Sequence, residues 1–219
     1  AGNGPRAVAV NSLTNKIYVA NNNSDNVTVI DGATNGTTTV TAGDGPYAVA
    51  ANAATNQIYV ANYNSNNVTV IDGATNGTTT VAAGALPSAV SVDAVRNKIY
   101  VANTGSNVTV IDGATNSTTS VAAGTGPYAI AVNPVTNRVY VPNWTSSDVT
   151  VIAAAGDNDT RVRCEPGTAG HTTDLSRPAV TGKAVNRLTP NRTRIERVLA
   201  RTGTSQLPWP LATITGGAG

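Results

Sequence analysis

Few side chains in this sequence are of types that move protons, hold metals or attack carbon. There is one histidine, His171, and one cysteine, Cys164, both beyond residue 152. His171 lies close to Asp174, as an acid–base pair requires, but a lone histidine in a polar stretch reads as a solvated side chain. Cys164 has no recurring basic neighbour to activate it as a nucleophile. Three Asp-Gly pairs recur, at Asp31, Asp72 and Asp112. Calcium takes about six to eight oxygens from a dense set of acidic ligands, and these pairs stand alone. Asp-Gly at a strand end reads instead as a hairpin former. No catalytic set, metal site or cofactor is expected.

Asn-x-Thr triplets at Asn26, Asn67 and Asn107 match a glycosylation acceptor. Their threonines fall inside predicted strands, out of a modifying enzyme's reach once the chain is folded. The triplets recur because the whole sequence recurs. "KIYVANNNSDNVTVIDGATNGTTTV" (16–40) returns almost unchanged as "QIYVANYNSNNVTVIDGATNGTTTV" (57–81), and twice more with edits. Pro5, Pro46, Pro87 and Pro127 are spaced 41, 41 and 40 residues apart, and Tyr18, Tyr59, Tyr100 and Tyr140 keep step.

Each unit offers four strand-like runs, in the first Arg6–Val10, Lys16–Ala20, Asn26–Ile30 and Thr37–Thr41. Asn, Gly and Ser cluster between them, as turns require. Short strands joined by short polar loops make an antiparallel meander, and a period near 40 with several strands per unit is the mark of propeller blades. Val27 and Val29 alternate with Thr28 and Ile30, so both faces are apolar, as a sheet sandwiched between two others needs. With no Phe and no Met among 219 residues, and Val, Thr, Ala, Asn and Gly dominant, the expected class is all-β. The fold read from these units is a β-propeller of about four four-stranded antiparallel blades over residues 1–152, with an irregular tail over 153–219.

The stretch "GPYAVAANAATNQIYVANYNSNNVTVIDGATN" resembles the YVTN family of β-propeller repeats across residues 4–152, through its "IYVAN" core. The resemblance implies a surface-layer-like or other extracellular protein of prokaryotes, in which seven or so blades are usual. Four copies leave three arrangements open: a small ring with strands borrowed from the tail, an arc completed by a second copy, or part of a longer array.

The copies differ chiefly in two places. After Gly-Pro or its equivalent stand Arg6, Tyr47, Ser88 and Tyr128; in the loop after the second strand stand Asn22, Tyr63, Thr104 and Trp144. In an up-and-down meander these two loops emerge at the same end, so both sets are expected on one rim. Tyrosine and tryptophan offer apolar faces with wet polar tips, and asparagine both donates and accepts. Arg6, Tyr47, Tyr63, Thr104, Tyr128 and Trp144 are therefore the candidate binding residues, with carbohydrate or peptide as ligand. The plainer reading is that loop tips drift for want of constraint.

After Ile152 the repeat gives way to "AAAGDNDT", and arginine and proline become common. A separate small domain with a short helix over 192–201 is one reading. A slip of reading frame in the coding DNA is another: codons for Gly156–Asp159 and Thr160, shifted by one base, can spell Ala-Thr-Thr-Thr. A single-base shift that restores a fifth "GP…AVAVNP…IYVAN" unit in the coding sequence decides it.

Residues 1–152 carry five basic and seven acidic side chains, net −2, and residues 153–219 carry nine and five, net +4. The repeats thus show no basic stripe for nucleic acid. No apolar run nears the about 20 residues that cross a bilayer. The expected function is a non-enzymatic structural or binding module, secreted or on the cell surface. The alternatives are a degraded or fragmentary propeller enzyme of lyase or lactonase type, or a self-assembling blade unit whose copies complete a ring.

Overall fold

The computed structural model describes residues 1–153 and the strand Arg163–Cys164. Every regular element among them is a β-strand. The first unit forms β1 (Pro5–Asn11), β2 (Lys16–Asn21), β3 (Asn26–Asp31) and β4 (Thr37–Thr41). The second forms β5 (Pro46–Asn52), β6 (Gln57–Asn62), β7 (Asn67–Asp72) and β8 (Thr78–Ala82). The third forms β9 (Pro87–Asp93), β10 (Lys98–Asn103), β11 (Asn107–Asp112) and β12 (Thr118–Ala122). The fourth forms β13 (Ala131–Asn133), β14 (Arg138–Asn143), β15 (Asp148–Ala153) and β16 (Arg163–Cys164). Each unit is a separate four-stranded antiparallel meander in chain order, as the repeat predicts.

Local chemistry ends the strands where they end. In the turn after β3, Asp31 Oδ1 accepts from the N–H groups of Ala33 and Thr34, each at 2.9 Å. Asn35 then takes a positive φ of 58°, a conformation asparagine tolerates because its short polar side chain bonds locally. Asp72 and Asp112 repeat the arrangement. The Asp-Gly pairs therefore build turns, as expected.

Successive sheets pack face to face. Tyr18, Ala20, Val27, Val29 and Val40 of the first sheet meet Ile58, Val60 and Ile71 of the second. The same positions recur between the second and third sheets, and between the third and fourth. Ile58, Val60 and Ile71 are wholly buried, and burying such a side chain contributes about 1.5–3 kcal/mol. A buried polar latch holds each linker to the sheet it leads into. Thr28, Thr69, Thr109 and Thr150 accept from the backbone N–H groups of Gly2, Gly43, Gly84 and Gly124.

The fourth sheet departs from the others. Pro142, which has no N–H, stands where the other units have Ala20, Ala61 and Ala102, and β13 keeps only three residues. The outer strand β16 comes from beyond residue 152: Thr150 pairs with Cys164 and Val151 with Arg163. The chain divides into two units, Ala1–Pro178 and Ala179–Gly219. The second unit, the helix expected over 192–201, His171 and Asp174 all lie outside the described residues.

Candidate functional site

β-Bulges aim the variable residues. In the first sheet Pro5 pairs with Asn21 and Ala7 with Ala20, so Arg6 is the extra residue. Tyr47 is the extra residue in the second sheet, and Ser88 in the third. A bulge adds local twist and redirects the side chain it carries. The second variable set is tied to the same end. Asn22, Tyr63, Thr104 and Trp144 each donate a backbone N–H to the carbonyl of the residue before the proline, namely Gly4, Gly45, Leu86 and Gly126. Both sets lie on one rim.

Four of the six candidate residues form a connected cluster there. The Arg6 guanidinium lies 3.5 Å from the centre of the Tyr47 ring. Tyr47 stacks on Tyr63, with ring centres 5.0 Å apart and planes at 24°. The Tyr47 and Tyr128 hydroxyls are 3.3 Å apart, joining the second sheet to the fourth above the third. That hydroxyl contact, followed by burial, raises the pKa of Tyr47 above that of a free tyrosine.

The third sheet is cut away beneath this contact. Its bulge residue is the small, buried Ser88, whose Oγ lies 3.1 Å from Pro127 O and 3.3 Å from Ala102 O. Its rim loop is one residue shorter than those of the other units, which accounts for the spacing of 40 in place of 41. Leu86 occupies the position of Gly4, Gly45 and Gly126 and takes the same left-handed backbone, φ 56°. A side chain fits there because Gly105 replaces Asn23, Asn64 and Thr145; a Cβ on Gly45 would fall 2.7 Å from the Asn64 amide. The result is a groove of about 530 Å³ lined by Leu86, Thr104, Gly126, Tyr128, Trp144 and Thr145. Tyr128 is 52% exposed and Trp144 83%. Thr104 and Trp144, outside the aromatic cluster, are thus brought to the groove with Tyr128.

No protein-family model matches the chain, and neither does any curated protein. Solved structures do resemble it. A chain of Kuenenia stuttgartiensis hydrazine synthase is similar with a TM-score of 0.62 and 22% identity, over 68% of this chain and 45% of that one. A chain of a nidogen/laminin complex gives 0.57 and 15%, over 69% and 60% respectively. The computationally designed Ika4 protein gives 0.61 and 13%, over 71% and 94%. This chain therefore spans under half of the hydrazine synthase chain. At these identities the likeness shows the fold alone: the repeats are a β-propeller-like array of antiparallel four-stranded sheets.

The opposite rim of this propeller-like array carries Asp31, Asp72 and Asp112, whereas Asp25, Asp44 and Asp148 lie in the loops of the variable rim. Lys98 Nζ donates to Asp112 Oδ2 at 2.5 Å, and that bond, with the Ala114 and Thr115 N–H groups, brings the Asp112 pKa down to about 2. Backbone N–H groups, Thr34 before Ala33 and Thr75 before Ala74, lower Asp31 and Asp72 as well. Each carboxylate is held ionised by its turn, which suits a structural anchor and not a proton donor. Among the described residues no group of three His, Cys, Asp or Glu side chains is placed to hold a metal, and no helix is long and apolar enough to cross a membrane. The triplet asparagines also have structural partners. Asn26, Asn67 and Asn107 accept from Asn21, Asn62 and Asn103, and their threonines are buried.

Two parts of the site become legible only in three dimensions. Leu86 and Gly105 are visible in the sequence as departures from the repeat, but their mutual accommodation shows only when both loops are placed. Ser88 is visible as a variable position, but its burial, where Arg6 and Tyr128 stand exposed and Tyr47 half-buried, shows only in the fold.

Proposed function

We propose that the chain is a non-enzymatic binding module, built of YVTN-type propeller repeats, that holds a neutral saccharide in the groove of the third and fourth sheets. The observation carrying this reading is the coordinated cutback of one repeat's rim. The shortened loop and Leu86, which Gly105 accommodates, border a groove lined also by exposed Trp144 and Tyr128.

The chemistry of the lining favours sugar over peptide. Aromatic faces pack on the C–H surfaces of a sugar ring, while Thr104 Oγ1, its proton given to Leu86 O, accepts and the Thr145 hydroxyl donates and accepts. Among the described residues no lining side chain carries a charge to pair with a peptide terminus or an ionic side chain, and the Arg6 guanidinium is occupied on Tyr47. A volume of 530 Å³ lies within the range of small-ligand sites, about 300–1,000 Å³. The resemblance to YVTN repeats supports a secreted or cell-surface setting.

A glycan array followed by titration of Trp fluorescence tests the proposal. Binding of a neutral oligosaccharide is expected, with Trp144→Ala weakening it at least about tenfold, or 1.4 kcal/mol. A blank array, or binding confined to a peptide library, contradicts it.

A further inference from the structure

We infer that the chain associates head to tail with a second copy of itself, the open face of its first sheet docking on the open face of the fourth sheet of that copy. Independently of any ligand at the rim, the two end faces are the two halves of an interface the molecule already makes three times.

On one half of each internal interface stand Val49, Ile58, Val60 and Ile71 of the second sheet, or their counterparts in the third and fourth. The first sheet carries the same set as Val8, Ile17, Val19 and Ile30. Ile58, Val60 and Ile71 are fully buried, whereas Val8 is 63% exposed and its neighbour Val10 58%. Ile17, Val19 and Ile30 are each half-buried. A depression of about 220 Å³ among Pro5, Arg6, Ala7, Val8 and Val19 opens beside them.

The other half is formed inside the chain by Tyr18, Ala20, Val27 and Val29, or by their counterparts. In the fourth sheet these positions are Tyr140, Pro142, Val149 and Val151. Tyr140 is 37% exposed, where Tyr18, Tyr59 and Tyr100 are at most 1% exposed, and Val149 is likewise 37% exposed where Val108 is buried. Val151 is buried, as Val29 and Val70 are, so the uncovered part of this face is Tyr140, Pro142 and Val149, and its apolar shape is matched by the internal examples.

Polar groups match too. Asn11 donates through Nδ2 to Asn56 Oδ1 of the next sheet, and Asn52 donates to Asn97, each at 2.8 Å. Asn133 holds the Asn11 position at the far end and Asn15 the Asn56 position at the near end. A contact between copies would pair them in the same way. Because the two faces differ, the interface is heterologous: two copies close a ring if the rotation allows, and otherwise add end to end.

Light scattering on the full chain across protein concentrations tests this. Wild type should show at least twice the single-chain mass. Val8→Asp with Val10→Asp should reduce it to the single-chain mass, and so should Val149→Asp, each keeping the wild-type far-ultraviolet circular dichroism. Mixing the two variants, each with one intact face, should restore a two-chain species, while Trp144→Ala should leave the wild-type mass unchanged. A wild-type mass of one chain overturns the inference, whether residues outside those described or nothing at all covers the faces. Association insensitive to either variant, or mixing that restores nothing, overturns it as well.

Discussion

Tyr18 and Tyr59 occupy one position in successive sheets, yet their hydroxyls fare differently. The Tyr59 hydroxyl donates to Gln57 Oε1 at 2.7 Å, whereas the buried Tyr18 hydroxyl has no partner among the described residues, Lys16 having replaced the glutamine. An unpartnered buried polar group costs about 1–3 kcal/mol. Tyr18→Phe should therefore match or exceed wild type in urea unfolding, and Tyr59→Phe should lose about 1 kcal/mol; the reverse order would refute the assignment of partners. Leu86 permits a sharper contrast. Its left-handed backbone costs about 1–2 kcal/mol that glycine does not incur, though glycine gives back part of this in unfolded-state entropy. Leu86→Gly should leave stability equal or up to about 1 kcal/mol higher while weakening saccharide binding at the groove. A loss of both together would mean that Leu86 serves packing alone. Asp148 settles a smaller question. It stands where Asn26, Asn67 and Asn107 stand in the other sheets and has only acceptors to offer, so Asn143 must present its Nδ2. That orientation carries to Asn21, Asn62 and Asn103 by repetition.

At the scale of the sheet, most of the architecture is written in the alternation. Val27 and Val29 against Thr28 and Ile30 assign both faces, because a strand repeats every second residue. The sharing of one rim by Tyr47 and Tyr63 follows from meander topology without coordinates. The bulges at Arg6, Tyr47 and Ser88 do not, since one extra residue in an otherwise regular run leaves no compositional mark. Nor could the outer strand of the fourth sheet be read, because Arg163–Cys164 shares nothing with "TTTVT". The threonine inside each "NVTVI" run looks like an ordinary β-former, but it receives two donors. Thr69 Oγ1 accepts from Asn62 Nδ2 at 2.8 Å and from the Gly43 N–H at 3.1 Å. Thr69→Val keeps shape and β-propensity yet strands both donors, and it should lower the unfolding free energy by about 1–3 kcal/mol. A neutral result would show that the latch is incidental.

For the molecule as a whole, stability should be flat near neutrality and fall at both extremes. Burial, reinforced by nearby Asp112 and Asp93 respectively, pushes Tyr59 and Tyr100 up to about 12. A raised folded value means that stability is complete below the ordinary 10.0 and is lost as pH rises toward about 12. Asp112 works in the opposite sense: its contribution is present above the ordinary 3.8 and is lost as pH falls through about 2. Thermal unfolding should therefore show a plateau with an alkaline limb that begins above pH 10, and an alkaline limb that begins well below it would contradict the burial of these tyrosines. The binding groove, the end faces and both pH limbs depend on four sheets that fold as distinct, stacked units. Amide hydrogen exchange on the native chain tests that dependence most directly. Slow exchange should recur in β2 with β3, β6 with β7, β10 with β11 and β14 with β15, separated by fast-exchanging turns at the spacing of the repeat. Protection that runs through the turns as one block, or that lacks the 40–41-residue recurrence seen in the prolines, would contradict it.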